Sequence, residues 1–285
     1  MRSSQLPSLA LCLIALCLFS SCGSQYGKVS YKKSPQIINV SSYDPKETQR
    51  GGAGYSPLDQ SNLRRNGALG QIPRCSRGYS YDSKCSDFLV GAERQGMLLG
   101  AYHYLTPYSS ASTQADRFVA RLKSIKHSRG LRTRSIMLVG DIDSKCTVPH
   151  MVTFIKRIKS LTGRYPMVYI ENGELIRSRL RNASSSQKRL LRKCPYWLAL
   201  YGSDYPGIPT PKELIKATKV WKTWSLWQYG GVEWERGRSR SKHYYKGSWK
   251  TPKYFNGMSK PIERNGFNGT KKELYRFWAK HSWRW

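Results

Sequence analysis

Two aspartates one residue apart pose the first chemical question. The run Val139-Gly140-Asp141-Ile142-Asp143 is apolar until its first carboxylate. In a strand, the two-residue period points the side chains of Asp141 and Asp143 to one face. Carboxylates held close raise one another's proton affinity, so one stays protonated as an acid while the other is ionised. Glycoside hydrolysis uses that division of labour. The same pair also suits a metal ion or the cap of a following helix, and spacing alone leaves these open. Acids are scarce, with 17 Asp+Glu against 49 Lys+Arg, so a carboxylate pair at the end of an apolar run stands out.

Other chemically able residues end neighbouring runs. Tyr102-His103-Tyr104 closes one, Tyr169 and Glu171 another, Trp197 lies in a third, and Trp227-Gln228-Tyr229 closes a fourth. Aromatic faces and amides converging on carboxylates make a sugar cleft. Taken singly, each aromatic is equally at home in a core, and His103 alone reads more readily as a structural histidine. HExxH, Gly-rich phosphate-loop and GxSxG patterns are absent. So is CxxC spacing. No metal and no cofactor is expected.

The elements that must position these residues alternate. Candidate strands are 36–40, 69–74, 98–104, 135–141, 167–170, 196–200, 225–229 and 262–267. Apolar residues at helical spacing predict helices over Ser112–Ser128 (Ala115, Phe118, Val119, Leu122, Ile125) and Pro149–Leu161 (Met151, Val152, Phe154, Ile155, Ile158, Leu161), and a weaker one over Ser184–Arg192. Eight strands with intervening helices predict a single α/β barrel of TIM-like type spanning 36–285, with its chemistry at the C-terminal strand ends. The segment Gly230–Lys260 breaks the rhythm. Its Arg and Lys interleave with Trp and Tyr, as in a surface that grips a polyanion or stacks on sugars, and equally as in a solvated β-hairpin.

The 285 residues carry a formal charge of +32, with 39% hydrophobic and 12% aromatic residues. That apolar share excludes a disordered polycation, and the charge predicts an anionic partner. Residues 1–22 have a basic start, an apolar centre from Leu9 to Phe19 and a Ser20-Ser21-Cys22 end. This is the layout of an export signal, too short in its apolar part to span a bilayer. Cys22 after two small residues resembles a lipobox, which makes it the expected lipidation site and membrane anchor. Residues 23–35 then form a polar, basic tether. Arg2 is the one charged residue before Cys22, so cleavage leaves +31. Export shifts the expected partner from nucleic acid to the anionic cell envelope. It also allows disulfides among Cys75, Cys85, Cys146 and Cys194, with Cys75–Cys85 the easiest local pair among three possible pairings.

An ordered set of short segments resembles glycoside hydrolase family 25, the Chalaropsis-type lysozymes. It comprises Ile38-Asn39-Val40-Ser41, Leu58-Asp59, Gly100-Ala101-Tyr102-His103-Tyr104, Gln114-Ala115-Asp116-Arg117-Phe118, Asp141-Ile142-Asp143, Tyr165-Pro166-Met167-Val168-Tyr169, Trp197-Leu198-Ala199-Leu200-Tyr201, Leu226-Trp227-Gln228-Tyr229 and Glu263 through Gly269. The resemblance implies a mixed α/β barrel with fewer helices in its later part. It implies muramidase activity on the bond between N-acetylmuramic acid and N-acetylglucosamine of peptidoglycan or a related amino-sugar polymer. It makes Asp141 and Asp143 the catalytic carboxylates, with Asp143 as the acid. Asn39, Tyr102, His103, Tyr169, Trp197, Trp227, Gln228 and Glu263 become the substrate-binding set.

Three of four acidic positions depart from the family's pattern. Asn39 stands where the first strand usually offers Asp, Asp143 where Glu is usual, and Glu263 where Asp is usual. Asp143 is shorter than Glu by about 1.5 Å, one carbon–carbon bond, and a misplacement of about 1 Å costs on the order of a hundredfold in rate. The alternative reading is a peptidoglycan-binding lipoprotein that keeps the fold without catalysis.

Overall fold

The computed structural model describes residues 34–44, 58–171, 173–199, 217–234, 243–247, 255 and 262–285, with backbone only for 231–234 and 243–247. The expectations for the export signal, Cys22, the 23–35 tether and most of Gly230–Lys260 lie outside the described residues.

Eight strands close into a barrel: β1 (Gln36–Val40), β2 (Ala68–Arg77), β4 (Leu98–Leu105), β5 (Ser135–Ile142), β6 (Met167–Ile170), β7 (Tyr196–Ala199), β8 (Leu226–Trp234) and β10 (Glu263–Phe267). All eight overlap the strands read from the sequence. From β1 to β8 the neighbours run parallel. The last strand departs from a regular (β/α) repeat, because β10 is antiparallel to both β8 and β1. Beyond the barrel, β3 (Ser80–Tyr81) folds back on β2, β9 (His243–Gly247) folds back on β8, and β11 (Trp283–Arg284) pairs with β5. The β8–β9 pairing agrees with the hairpin reading of Gly230–Lys260 for the backbone.

Helices wrap the outside, namely α1 (Gln60–Arg65), α2 (Cys85–Arg94), α3 (Ala111–Arg129), α4 (Val148–Thr162), α5 (Glu174–Arg181) and α6 (Ser185–Leu191), while α7 (Lys271–His281) covers one end. The two longest have clear local causes. Ser110 Oγ accepts from Thr113 N–H to start α3, and Thr147 Oγ1 accepts from His150 N–H to start α4. Gly130 at φ 62° and Gly163 at φ 71° end them in the left-handed conformation that glycine adopts without a Cβ clash. Helices α1, α2, α5 and α7 escape the apolar-period reading because three are short and α7 is mostly polar.

Alternation along the strands divides the core in two. Ile37, Ile72, Met137, Val139, Met167, Leu226 and Phe267 fill the barrel, while their sequence neighbours Ile38, Leu138, Val168 and Trp227 pack outward against the helices. Leu274 and Trp278 of α7 join the inner cluster, and Trp278 Nε1–H donates to the Leu99 carbonyl at 2.8 Å. This plugs the end where the parallel strands begin. The polar residues collect at the opposite end.

The four cysteines are buried free thiols. Cys85 hydrogen-bonds Cys75 and its thiol is pushed up by burial first and by that neighbour second. The expected local pair is therefore adjacent but unbridged.

Candidate active site

The C-terminal ends of the parallel strands bring Asn39, Arg74, Tyr102, Tyr104, Asp141, Asp143, Tyr169, Glu171 and Gln228 to one mouth, and the antiparallel β10 adds Glu263 and Asn265 from its N-terminal half. Asp141 is at its centre. It ends β5 on the same face as Met137 and Val139, and its neighbours in charge are Glu263, Glu171, Arg74 and Asp143. Burial, then Glu263 and Glu171, push its carboxyl well above the ordinary carboxylate range, against the pull of Arg74. Asp143 is differently held. Its Oδ2 accepts from Tyr104 O–H at 3.0 Å and its Oδ1 from Lys145 N–H at 2.8 Å. Both oxygens thus face donors, the arrangement that suits an ionised carboxylate.

One side of the mouth is a chain of amides whose orientations the hydrogen bonds determine. Asn265 Nδ2–H donates to the Ile37 carbonyl at 3.0 Å and to Asn39 Oδ1 at 2.8 Å. Gln228 Nε2–H reaches the same Asn39 oxygen at 3.3 Å. With its oxygen committed twice, Asn39 turns its Nδ2–H to Glu263, its direct partner in the β1–β10 register. Tyr169 O–H donates to Gln228 Oε1 at 2.7 Å, and Trp197 Nε1–H to Asn265 Oδ1 at 2.8 Å. Tyr169 also meets Trp197 edge-on, with ring centroids 5.1 Å apart.

Beside Asn39, on the adjoining β2, lies a cation. Arg74 Nε–H donates to Asp82 Oδ2 at 2.9 Å and its NH2 group to Ser42 Oγ at 3.1 Å, while the guanidinium covers the Tyr43 ring at 5.1 Å. Asp82 also accepts from Ser42 N–H at 2.9 Å and Lys84 N–H at 3.1 Å. The loop after β1 and the hairpin after β2 are thereby tied together around Arg74.

Two expected substrate contacts are not brought to the mouth. His103 is out of phase with Tyr102 and Tyr104 and points outward, buried, with Nδ1 2.8 Å from Ser76 Oγ and Nε2 3.0 Å from Gln114 Oε1. Gln114 Nε2–H donates to the Thr106 and Ser109 carbonyls. Its Oε1 is therefore the acceptor, and His103 carries its proton on Nε2. The ring lies between Phe118 and Phe154, and burial lowers its pKa to about 4, so it is neutral and structural. Trp227 is out of phase with Leu226 and Gln228 and packs edge-on to Trp224 and Tyr229 on the outside. Trp197, Gln228, Asn39 and Tyr102 do face inward but are at most 8% exposed. They form the floor that orients the mostly buried but still accessible groups, namely Tyr104, Asp141, Asp143, Tyr169, Glu171, Glu263 and Arg74.

The sequence reading named Tyr104 and Glu171 at the ends of their runs without giving either a role, and it did not select Arg74 or Asn265. Strand phase carried the signal: Arg74 keeps step with Ile72, Tyr104 with Tyr102, Glu171 with Tyr169, and Asn265 with Glu263.

Residues 54–237 match the sequence pattern of glycosyl hydrolases family 25. The chain belongs to this family. Among curated proteins it is similar to Lysozyme M1 of Streptomyces globisporus, 26% identical over 231 residues, covering 76% of this chain and 66% of that protein. It is also similar to the "Uncharacterized protein YegX" of Escherichia coli strain K12, 24% identical over 188 residues, covering 65% and 54% respectively. The chain thus spans between about half and two thirds of the length of these relatives. Its fold is that of the crystal structure of the bacterial lysozyme from Streptomyces coelicolor, with TM-score 0.58 and 21% identity over 87% of this chain and 99% of that one. The family match stops short of β1 and β10, so Asn39 and Glu263 join the site through barrel closure. Among the described residues no helix is long and apolar enough to cross a membrane, and no cluster of His, Cys, Asp and Glu has the makings of a metal site.

Proposed function

We propose that this protein is an exported muramidase, cleaving the glycosidic bond between N-acetylmuramic acid and N-acetylglucosamine in peptidoglycan. Lipidated Cys22 anchors it to the membrane and the basic mature chain is drawn to the anionic envelope. The observation that carries the reading is Asp141, a carboxyl of raised proton affinity amid three other carboxylates at the open mouth of a family 25 barrel.

In this reading Asp141 holds the proton that is donated, and Asp143, with both oxygens accepting from donors, is not the acid. The roles are the reverse of those the resemblance implied. Asp141 gives its proton to the glycosidic oxygen as the carbon–oxygen bond breaks. Asp143, Glu171 and Glu263 supply negative charge against the oxocarbenium-like sugar, and water adds to the anomeric carbon, giving up a proton that restores Asp141. Asn39 cannot supply such charge. Its amide holds Glu263 in place, and Glu263 stands in for the first-strand acid. Tyr104 and Tyr169 offer ring faces to the sugar.

The test is digestion of purified peptidoglycan by the wild type, Asp141→Asn and Asp143→Asn, reading released reducing ends and muropeptides. The reading expects release by the wild type, none by Asp141→Asn, and slowed release by Asp143→Asn. No release by the wild type between pH 4 and 8, with binding intact, makes the protein a wall-binding lipoprotein instead.

A further inference from the structure

A second binding feature lies beside the mouth, on residues that the chemistry above does not use. The hairpin of β2 and β3 exposes Tyr79 and Tyr81, 49% and 45% accessible. Two arginines one turn apart on α3 lie against these rings. Arg117 covers Tyr79 at 5.5 Å and Tyr81 at 5.1 Å, and Arg121 covers Tyr81 at 5.2 Å. The NH2 group of Arg117 donates to the Tyr79 carbonyl at 2.9 Å. This pins the hairpin to the helix. The Nε–H groups of both arginines are covered and have no hydrogen-bond partner. Neither arginine is in an ion pair among the described residues. The nearest acid in sequence, Asp116, is engaged by Arg157 at 2.7 Å.

The feature adjoins the mouth. Arg77, in the same hairpin, covers the Tyr104 ring at 5.0 Å, and Tyr104 O–H donates to Asp143. Gly78 N–H donates to the Tyr104 carbonyl at 3.1 Å, joining the hairpin base to β4. A band of alternating guanidinium and phenol therefore runs from Asp143 across the rim to α3.

We propose that Tyr79, Tyr81, Arg117 and Arg121 form an accessory site for the free carboxylates of stem peptides on the peptidoglycan strand held in the cleft. The proposal rests on the muramidase reading. Continuity with the cleft favours an occupant that is part of the same strand, and the anions nearest the sugars of such a strand are its peptide carboxylates. Arginines held flat by aromatic rings lose little freedom on pairing with a carboxylate, and the terminal guanidinium N–H groups other than the one given to the Tyr79 carbonyl remain to donate to it.

The test is co-sedimentation with insoluble peptidoglycan, before and after an amidase has removed the stem peptides, in an Asp141→Asn background that prevents digestion. Arg117→Gln/Arg121→Gln is expected to weaken binding to the peptide-bearing material by about tenfold, the size of one charge-assisted contact, and to flatten its salt dependence. Binding to stripped glycan stays within about twofold. Tyr79→Ala/Tyr81→Ala, which keeps both charges but removes their support, is expected to show the same selective loss, with thermal melting confirming that each variant folds. Unchanged binding by both variants overturns the accessory site. Equal loss on both materials, the stripped one keeping only the lactyl carboxylate that the amidase frees, or loss that follows removal of phosphate polymers in a third sample, overturns the assignment to stem-peptide carboxylates. Failure of the parent to bind either material overturns the muramidase reading as well.

Discussion

Asn39 donates a hydrogen bond to Glu263 across the antiparallel pair that closes the barrel, from positions 224 residues apart in sequence. Where the resemblance led to the expectation of an acid, the first strand carries an amide, and an acid stands on its neighbour. One negative charge is kept at this edge of the mouth, and the donor needed to orient it is built in. Asn39 does this because Asn265 and Gln228 occupy its oxygen.

Restoring an acid at the first strand is therefore expected to harm. Asn39→Asp keeps an acceptor for the Asn265 and Gln228 amides but replaces the Nδ2–H that Glu263 accepts from with a second carboxylate against it. The lost donor and the buried like-charge pair are expected to cost about 1–3 kcal/mol, read as a lower Tm at pH 7. The deficit is expected to shrink at acid pH, where protonation relieves a like-charge pair.

Asp141→Asn is expected to raise stability at neutral pH while abolishing hydrolysis. The folded-state pKa of Asp141 is raised by burial and by Glu263 and Glu171, whereas an unfolded Asp has a value of about 3.9. Its contribution is complete below that ordinary value and is lost as pH rises through the raised one. The variant has no proton to lose. Its Tm advantage over the wild type is expected to be near zero at pH 3.5 and roughly 2–4 °C at pH 7.

The pH–rate profile separates the two aspartates. If the proton to be donated sits on Asp141, activity falls as pH rises through the raised pKa of that group, and the slowed Asp143→Asn variant keeps the same falling limb. A profile whose falling limb vanishes in Asp143→Asn assigns the donor to Asp143 instead.

His103 is expected to mark the acid side of the stability curve. Its folded pKa is lowered to about 4, against about 6.5 for a free histidine. The unfolded chain takes up a proton between those values that the folded one refuses, so stability is lost as pH falls through this window. His103→Gln removes the titration. Its Tm is expected to be lower at pH 7, where bonds to Ser76 and Gln114 are altered, and to change less between pH 6.5 and 4 than that of the wild type.

Trp197→Phe keeps the inner packing but removes the indole N–H that holds Asn265. An unsatisfied Asn265 oxygen is expected to cost about 1–3 kcal/mol. Activity is expected to fall as well, because Asn265 positions Asn39 and, through it, Glu263.

Much of this was legible from local pattern. Strands such as Gln36–Val40 and Met167–Ile170 were visible because each residue's face is set by the one before it, and burial on both faces of a barrel wall demands apolar residues in succession. The same rule placed Asp141 and Asp143 at a strand end. Applied with stricter phase it separates His103 and Trp227 from the mouth, since each lies one residue from an inward-facing neighbour. Helices α5 and α7 were missed because their inner faces are thin, resting on Ile176 and Leu180 and on Leu274 and Trp278.

The sequence by itself determined the eight strands, the barrel class, the aspartate pair and the basic surface, because each follows from composition or from spacing within a few residues. Tertiary structure alone decided that the last strand closes the barrel antiparallel. It also decided that Asn39 meets Glu263 and that two arginines of a distant helix lie on the hairpin tyrosines. It decided that Asp141 is the carboxyl of raised proton affinity. Those relations depend on distance in space and on the solvent that closure removes, and charge interacts through space rather than along the chain.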